Sequence, residues 1–353
     1  MNAGPAPMGG TVLIARLDNA GDVLLAGPAV RAVAAHVDTV VMLTGPHGSA
    51  AAELLPGADR VLEWCAPWID PEPAPVTAAH VAALHDAVRS LQPRGALLLT
   101  SFHQSPLPLA LLLRLAGVAW IGAISEDYPG SLLDLRHHVA GDPPEAHRAL
   151  QLARAAGYPL PAGDDGRLAV RRPLPAVEHL TGAAGYVVVH PGASVPAREW
   201  PAQHCAQAVR ALAAAGHRVV VTGSDRERHL TAQVAGDAGV DLGGRTDLRT
   251  LAAVLDRACV VVAGNTGPAH LAAAVGTPVV SLFAPVVPAA RWAPYGVPTV
   301  LLGDQHAPCR DTRARHCPVP GHPCLSGVSP ADVVEAVDSL VGVRAPVQTG
   351  VPA

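Results

Sequence analysis

An α/β fold with two parallel sheets, one in each half of the chain, is predicted by three features of this sequence. Runs of about six β-branched and aliphatic residues recur along it, as strands buried on both faces require. Helical stretches separate those runs, which implies right-handed crossovers between parallel strands. The alternation lapses once near the middle, over residues 158–185, and then restarts. At 353 residues, with 50% hydrophobic and 15% charged side chains, the chain is long enough to bury two cores of ordinary size.

The first half opens with "TVLIARL" (residues 11–17), a strand, followed by a helix over 21–35. "TVVMLT" (39–44), "DRVLEW" (59–64) and "GALLLT" (95–100) read as further strands, with helices over 48–55 and 79–91 between them. The apolar window 107–124 is broken by Arg114 and Gly117, so its pieces are too short to cross a bilayer and read as a buried helix and a strand. This half is Rossmann-like. The lapse itself, rich in Pro, Gly and charge, reads as an interdomain linker holding one short strand.

After the linker come strand "YVVVH" (186–190), a helix over 201–215, strand "RVVVTG" (218–223), a helix from Asp225 and another over 248–257. Strand "CVVVAG" (259–264), a helix over 267–275 and strand "PVVSLF" (278–283) complete the pattern. "SPAD", with proline in the first turn, caps a last helix over 329–341. The expected division is an N-terminal domain over 1–170, a C-terminal domain over 171–328, a helix over 329–341 that packs back on the N-terminal domain, and a loose tail over 342–353. Two such halves leave a cleft between them, and ligands of such sheets bind outside the carboxyl ends of the strands.

A net charge of -4 and a pI near 6.5 provide no basic field for nucleic acid, and any membrane contact is at most peripheral. The first ten residues lack a cationic start and an apolar run, and a cytoplasmic protein is expected.

Three loops carry the chemistry. "RLDNAGDVLLAGPAVRAV" (16–33) places Gly21 and Asp22 at a helix N-terminus, where Asp22 is either a cap or a general base. The G-x-G-x-x-G dinucleotide spacing is absent. "HPGASVPAREWP" (190–201) offers Ser194 and Arg198, donors suited to a pyrophosphate, although an arginine beside a packed tryptophan is also a common surface feature. "VVAGNTGPAHLAAAVGTPVVSLF" (261–283) puts Asn265, Thr266, Gly267, Pro268 and His270 where a strand hands over to a helix, an anion-binding arrangement.

In this order and at these separations, the three blocks resemble glycosyltransferase family 9, the ADP-heptose:lipopolysaccharide heptosyltransferases, from about Thr11 to Val341. The resemblance implies a GT-B architecture, with an acceptor domain and a nucleotide-sugar domain facing each other across a cleft. It also implies inverting transfer without a cofactor or a metal ion. Asp22 matches the family's catalytic aspartate. Gly21, Ser194, Arg198, Asn265, Thr266, Gly267, Pro268 and His270 form the implied donor and diphosphate set. The implied partners are a nucleotide sugar, ADP-heptose above all, and a glycan, glycolipid or small-molecule acceptor. Trp68, Phe102 and His103 lie in the loops where acceptor choice is expected, able to stack on a sugar or to fill the core.

Two positions depart from the family pattern: Arg198 stands where well-known members have lysine, and Asn265 where many have aspartate. Arginine and lysine differ in hydration and fork geometry, which bears on phosphate placement. The segment 306–327 gathers Cys309, Cys317 and Cys324 with three histidines, but lacks the C-x-x-C pairs of a zinc site. A structural loop is the favoured reading there, with a Cys317 to Cys324 disulfide left open. Rival functions are a nucleotide-sugar epimerase of the same fold and a noncatalytic nucleotide-sugar-binding subunit.

Overall fold

The computed structural model describes residues 6–343. The chain divides between Arg171 and Arg172 into two compact units. The expected tail over 342–353 lies, apart from Gly342 and Val343, outside the described residues.

The first unit is a six-stranded parallel sheet: β1 (Thr11–Arg16), β2 (Thr39–Thr44), β3 (Arg60–Glu63), β4 (Gly95–Leu98), β5 (Trp120–Ile124) and β6 (Leu135–His137). Its strand order is β3-β2-β1-β4-β5-β6. All pairings are parallel, with Ala15 of β1 opposite Leu98 of β4. Leu13, Leu43, Leu84, Leu98 and Ile121 belong to the core on one face of this sheet.

The second unit repeats the design with β7 (Tyr186–His190), β8 (Val219–Val221), β9 (Gly239–Asp241), β10 (Ala258–Gly264), β11 (Val279–Leu282) and β12 (Thr299–Leu302). Its order, β12-β11-β10-β7-β8-β9, is that of the first sheet read in the opposite direction. In each sheet the order reverses at one place, between β1 and β4 and again between β7 and β10. Beyond the carboxyl ends of those strand pairs lies the crevice where open α/β sheets bind ligands.

Several elements differ from expectation. The helix over 21–35 is two helices, Ala20–Leu25 and Gly27–Ala34, with Pro28 in the first turn of the second. Pro28 has no N–H to bond the carbonyl a turn earlier, so the first helix stops before it. The linker holds no strand among the described residues; its one regular element is the short helix Glu178–Thr181. Residues 167–170 join no sheet, and Arg171 N–H bonds the Leu54 carbonyl instead. The helix from Asp225 begins as a 3-10 turn, Asp225–Glu227, closed by a Ser224–Glu227 capping box, and continues as Arg228–Ala235. The last helix, Pro330–Leu340, buries Val333, Ala336, Val337 and Leu340. That face packs on helix Ala202–Ala214 and on β10–β12 of the second unit. No helix among the described residues is long and apolar enough to cross a membrane.

Candidate active site

Each reversal of strand order carries a polar loop, and the two loops are built differently. In the first unit β1 ends in Arg16, a buried cation at the tip of an apolar strand. The chain then turns through Asp18 and Asn19 into helix Ala20–Leu25. Asn19 occupies the N-cap position without a side-chain cap bond. Asp22 therefore is not the cap; it sits in the first turn, where the helix dipole favours a carboxylate. Two glycines let the β2 loop close over this turn. A Cβ on Gly45 would meet Leu17 O at 2.6 Å, and one on Gly48 would meet Asp18 O at 2.8 Å.

Arg16 holds this site together. Its Nη2 donates to Asp22 Oδ1 and to Ser101 Oγ, each at 2.9 Å. Its Nε lies 2.9 Å from Asp18 Oδ2 and its Nη1 3.5 Å from Glu145 Oε2. Arg148 lies 3.6 Å from the same Glu145 oxygen. Gln104 donates through Nε2 to Asp18 Oδ1 and accepts from Ser101 N–H. Burial disfavours the charged guanidinium of Arg16, but Asp18, Asp22 and Glu145 outweigh it and raise its pKa above the ordinary range. Among the three acids, Asp22 is the most exposed, at 19% of its side chain against 8% for Asp18 and 1% for Glu145. A buried framework thus presents one carboxylate toward solvent.

The aromatic residues expected near an acceptor fall close by. Trp68, 37% exposed, packs on the buried Trp64 with ring centroids 5.5 Å apart. It lines a narrow pocket with Leu17, Gln104 and Ser105. Phe102 and His103 meet edge to face at 5.2 Å. Gln104 therefore touches both this pocket and the Arg16 cluster.

In the second unit β7 ends in His190, buried, with Nδ1 3.0 Å from Thr222 Oγ1. Burial lowers its pKa, against the pull of Glu227. Glu227 fills the space over Gly192, where an added Cβ would meet Oε1 at 1.8 Å. Ser194 is exposed, and Arg198 closes a 3-10 turn, Pro196–Arg198. Arg198 Nη1 donates to Asn265 O at 3.3 Å. Gly264 allows that approach, since a Cβ there would lie 3.1 Å from Arg198 O.

Thr266 is the N-cap of helix Gly267–Val275, with Pro268 in its first turn. The amides expected here are fewer than the sequence suggests. Thr266 N–H is already bonded to Gly264 O at 2.8 Å, and Pro268 has none to give. Anion-binding capacity at this terminus rests on the Gly267 N–H, the Thr266 hydroxyl and the Arg198 guanidinium. Asn265 donates weakly to Ala284 O at 3.4 Å, while its buried Oδ1 has no hydrogen-bond partner among the described residues. His270 is buried one turn into the helix.

The cysteine loop braces this site. Ala197 N–H bonds Arg315 O at 3.0 Å, and His322 Nε2 lies 3.1 Å from Ala197 O. The turn that carries Arg198 is thereby tied on both sides to the loop. Cys309 and Cys324 are buried in the core of this unit and Cys317 packs against it. All six cysteines are free thiols, so the possible Cys317 to Cys324 bridge is not formed. Burial pushes the Cys324 thiol up to about 12. Among the described residues, no group of three or more His, Cys, Asp or Glu side chains is placed to hold a metal ion.

Of the expected site residues, Gly21 and Asp22 lie at the loop after β1, Ser194 and Arg198 at the loop after β7, and Asn265, Thr266, Gly267, Pro268 and His270 at the loop after β10 and the helix it opens. Arg16, Asp18, Ser101, Gln104, Glu145, Arg148 and Glu227 were not anticipated. A signal for two of them was present, since "RLD" ends an otherwise apolar strand with charge.

Solved structures share this architecture across nearly the whole chain. The glycosyl transferase family 9 protein from Veillonella parvula DSM 2008 superposes with TM-score 0.76 at 15% identity, covering 94% of this chain and 97% of that one. Escherichia coli ADP-heptose lps heptosyltransferase II gives 0.71 at 18% identity, covering 94% and 98%. E. coli heptosyltransferase WaaC with ADP-2-deoxy-2-fluoro heptose gives 0.67 at 21%, covering 93% and 99%. The fold is that of a GT-B glycosyltransferase, with two Rossmann-like domains. A search of curated proteins finds no match. The model of glycosyltransferase family 9 (heptosyltransferase) matches residues 104–322, more than half of the chain, and the chain belongs to that family. The matched span starts at Gln104, so the Asp22 loop lies outside it.

Proposed function

We propose that this protein transfers a heptose from an ADP-linked donor to a hydroxyl of a glycan, glycolipid or small-molecule acceptor, with inversion and without a metal ion. The first unit binds the acceptor and the second the nucleotide sugar. Family membership supports the reaction class, and the solved WaaC complexes with ADP and with a fluorinated ADP-heptose support the donor. Six free thiols agree with a cytoplasmic site of action.

The observation that carries this reading is the setting of Asp22: a carboxylate tied by one oxygen to a buried arginine and partly open to solvent. As the acceptor oxygen bonds the anomeric carbon, Asp22 takes the hydroxyl proton. The bond from that carbon to the diphosphate oxygen breaks, and its electron pair leaves with ADP. Arg198, Thr266 Oγ1 and Gly267 N–H meet the growing charge on the diphosphate, which is the work a metal ion would otherwise do. Trp68, Phe102 and His103 guide the acceptor by stacking.

A donor screen tests this. Purified protein is incubated with a panel of nucleotide sugars and scored by thermal shift and by nucleotide release in the presence of candidate acceptors. Stabilisation by ADP-heptose above the other sugars is expected. Stabilisation by nicotinamide dinucleotides and by no nucleotide sugar would overturn the reading, and donor turnover without any acceptor would indicate an epimerase.

A further inference from the structure

Asp18 has no part in the reaction just described, yet it shares a guanidinium with the residue that does. Its Oδ2 meets Arg16 Nε at 2.9 Å, while Asp22 Oδ1 takes Nη2 of the same side chain at 2.9 Å. The charged groups that face this pair come from one other element and the strand itself. Arg16 lies on β1, and Glu145 and Arg148 lie on helix Glu145–Ala155, 3.5 Å and 3.6 Å apart from their partners as given above. The uncharged Gln104 and Ser101 complete the shell from the loop after β4.

Three carboxylates therefore face two guanidiniums. Arg16, Asp18 and Glu145 are each at most 8% exposed, so solvent screens the excess negative charge poorly. Carboxylates packed this closely in a buried site repel one another, which favours protonation of the enclosed Asp18. Asp22, the most exposed, is the one placed to meet a substrate hydroxyl. Asp18 is enclosed, with 8% of its side chain exposed.

We propose that Asp18 is a positioning residue for Asp22, acting through the arginine they share. Ionised, Asp18 adds negative charge beside Asp22, competes for Arg16 and makes Asp22 the stronger base. Protonated, it removes that charge and leaves the guanidinium to Asp22, which becomes the weaker base. Burial raises Asp18 to about 6, against the opposing pull of Arg16 and the Gln104 hydrogen bond. The switch then falls just below neutral pH, and transfer declines as pH drops through it. This inference rests on Asp22 as the base.

Acceptor kcat/KM is measured at saturating donor from about pH 5 to about pH 8, the range in which a base of this kind is titrated. The wild type is expected to show an acidic limb near the Asp18 midpoint. In Asp18→Asn the limb disappears from that position and the plateau falls several-fold. Gln104→Leu removes a hydrogen bond that favours the ionised form, so its limb moves to higher pH. A purely structural role would lower the rates at every pH and leave the limb where it was, and that outcome overturns the proposal.

A second readout needs no turnover. The side-chain carboxyl 13C resonances of the full chain labelled at aspartate are titrated, with Asp18 assigned by its loss in Asp18→Asn. A midpoint well above the ordinary aspartate value, and higher still in Gln104→Leu, is the expected result; an ordinary midpoint rejects the proposal. Should no nucleotide sugar be turned over while the titration behaves as stated, the failure belongs to the transfer reading and not to the coupling.

Discussion

The loop after β1 and the loop after β7 occupy equivalent places in two sheets of the same strand order, and they are finished in opposite ways. The first is saturated with charge: Arg16 alone engages three carboxylates and a serine hydroxyl. The second carries far less charge: Arg198 donates at 3.3 Å to Asn265 O of the loop after β10, and Asn265 donates at 3.4 Å to Ala284 O while its buried Oδ1 has no hydrogen-bond partner among the described residues. A buried polar atom without a partner costs free energy, which a ligand recovers when it supplies the missing bond. The first loop is thus oriented by ion pairs around Arg16 before substrate arrives, as a base requires, although Glu145 Oε1 is itself buried without a hydrogen-bond partner among the described residues. In the proposed reaction the second is completed by the donor it binds.

That contrast separates the two sites by the kinetic constant each controls. Asp22→Ala is expected to lower kcat by roughly 10²–10⁴-fold, the usual contribution of a general base, while donor affinity measured by calorimetry stays within a few fold. Equal loss of donor binding would erase the distinction. Arg198→Ala is expected to weaken donor binding and to cost roughly 10²-fold in kcat/KM for the donor, as loss of one charge-stabilising donor does. Acceptor KM should hardly move. His322→Ala cuts a tie to the turn that carries Arg198 without touching a phosphate position. Its effect should be smaller, a several-fold rise in donor KM at nearly constant kcat. The least effect is expected from alkylation: the buried, high-pKa thiols of Cys205 and Cys324 should stay unlabelled at mildly alkaline pH by mass spectrometry, since the thiolate is the reactive form. Rapid labelling of Cys324 would show that the bracing loop opens.

The central strands were legible because each is a run of valine, leucine or alanine buried on both faces, as in "VVV" of β8 and β10. The edges were not. β6, β9 and β12 are three or four residues long and half-exposed, too short for any period to stand out. Helix Glu145–Ala155 was left unassigned, and with it went Glu145 and Arg148. The division of the first helix was marked by Pro28, whose consequence for the preceding turn shows only when the backbone bonds are followed.

At the sites, sequence revealed the residues that end strands and open helices, because glycine and polar caps interrupt apolar text there. Asp22, Arg198 and the Asn265–Gly267 turn were found in this way. Arg16, Ser101 and Glu145 lie up to 129 positions apart in the chain yet share one guanidinium. No local pattern reports such a meeting, which depends on β1 and β4 being neighbours. The same holds for Glu227 over Gly192, where the glycine was visible and its partner was not.

The most direct measurement is the single-turnover rate of Asp22→Asn with donor bound in advance and acceptor added in excess. Asparagine keeps the shape and removes the basicity, so the donor complex should form as in the wild type while sugar transfer slows by at least ~10²-fold. Transfer at the wild-type rate from that complex would contradict the assignment of Asp22 as the base.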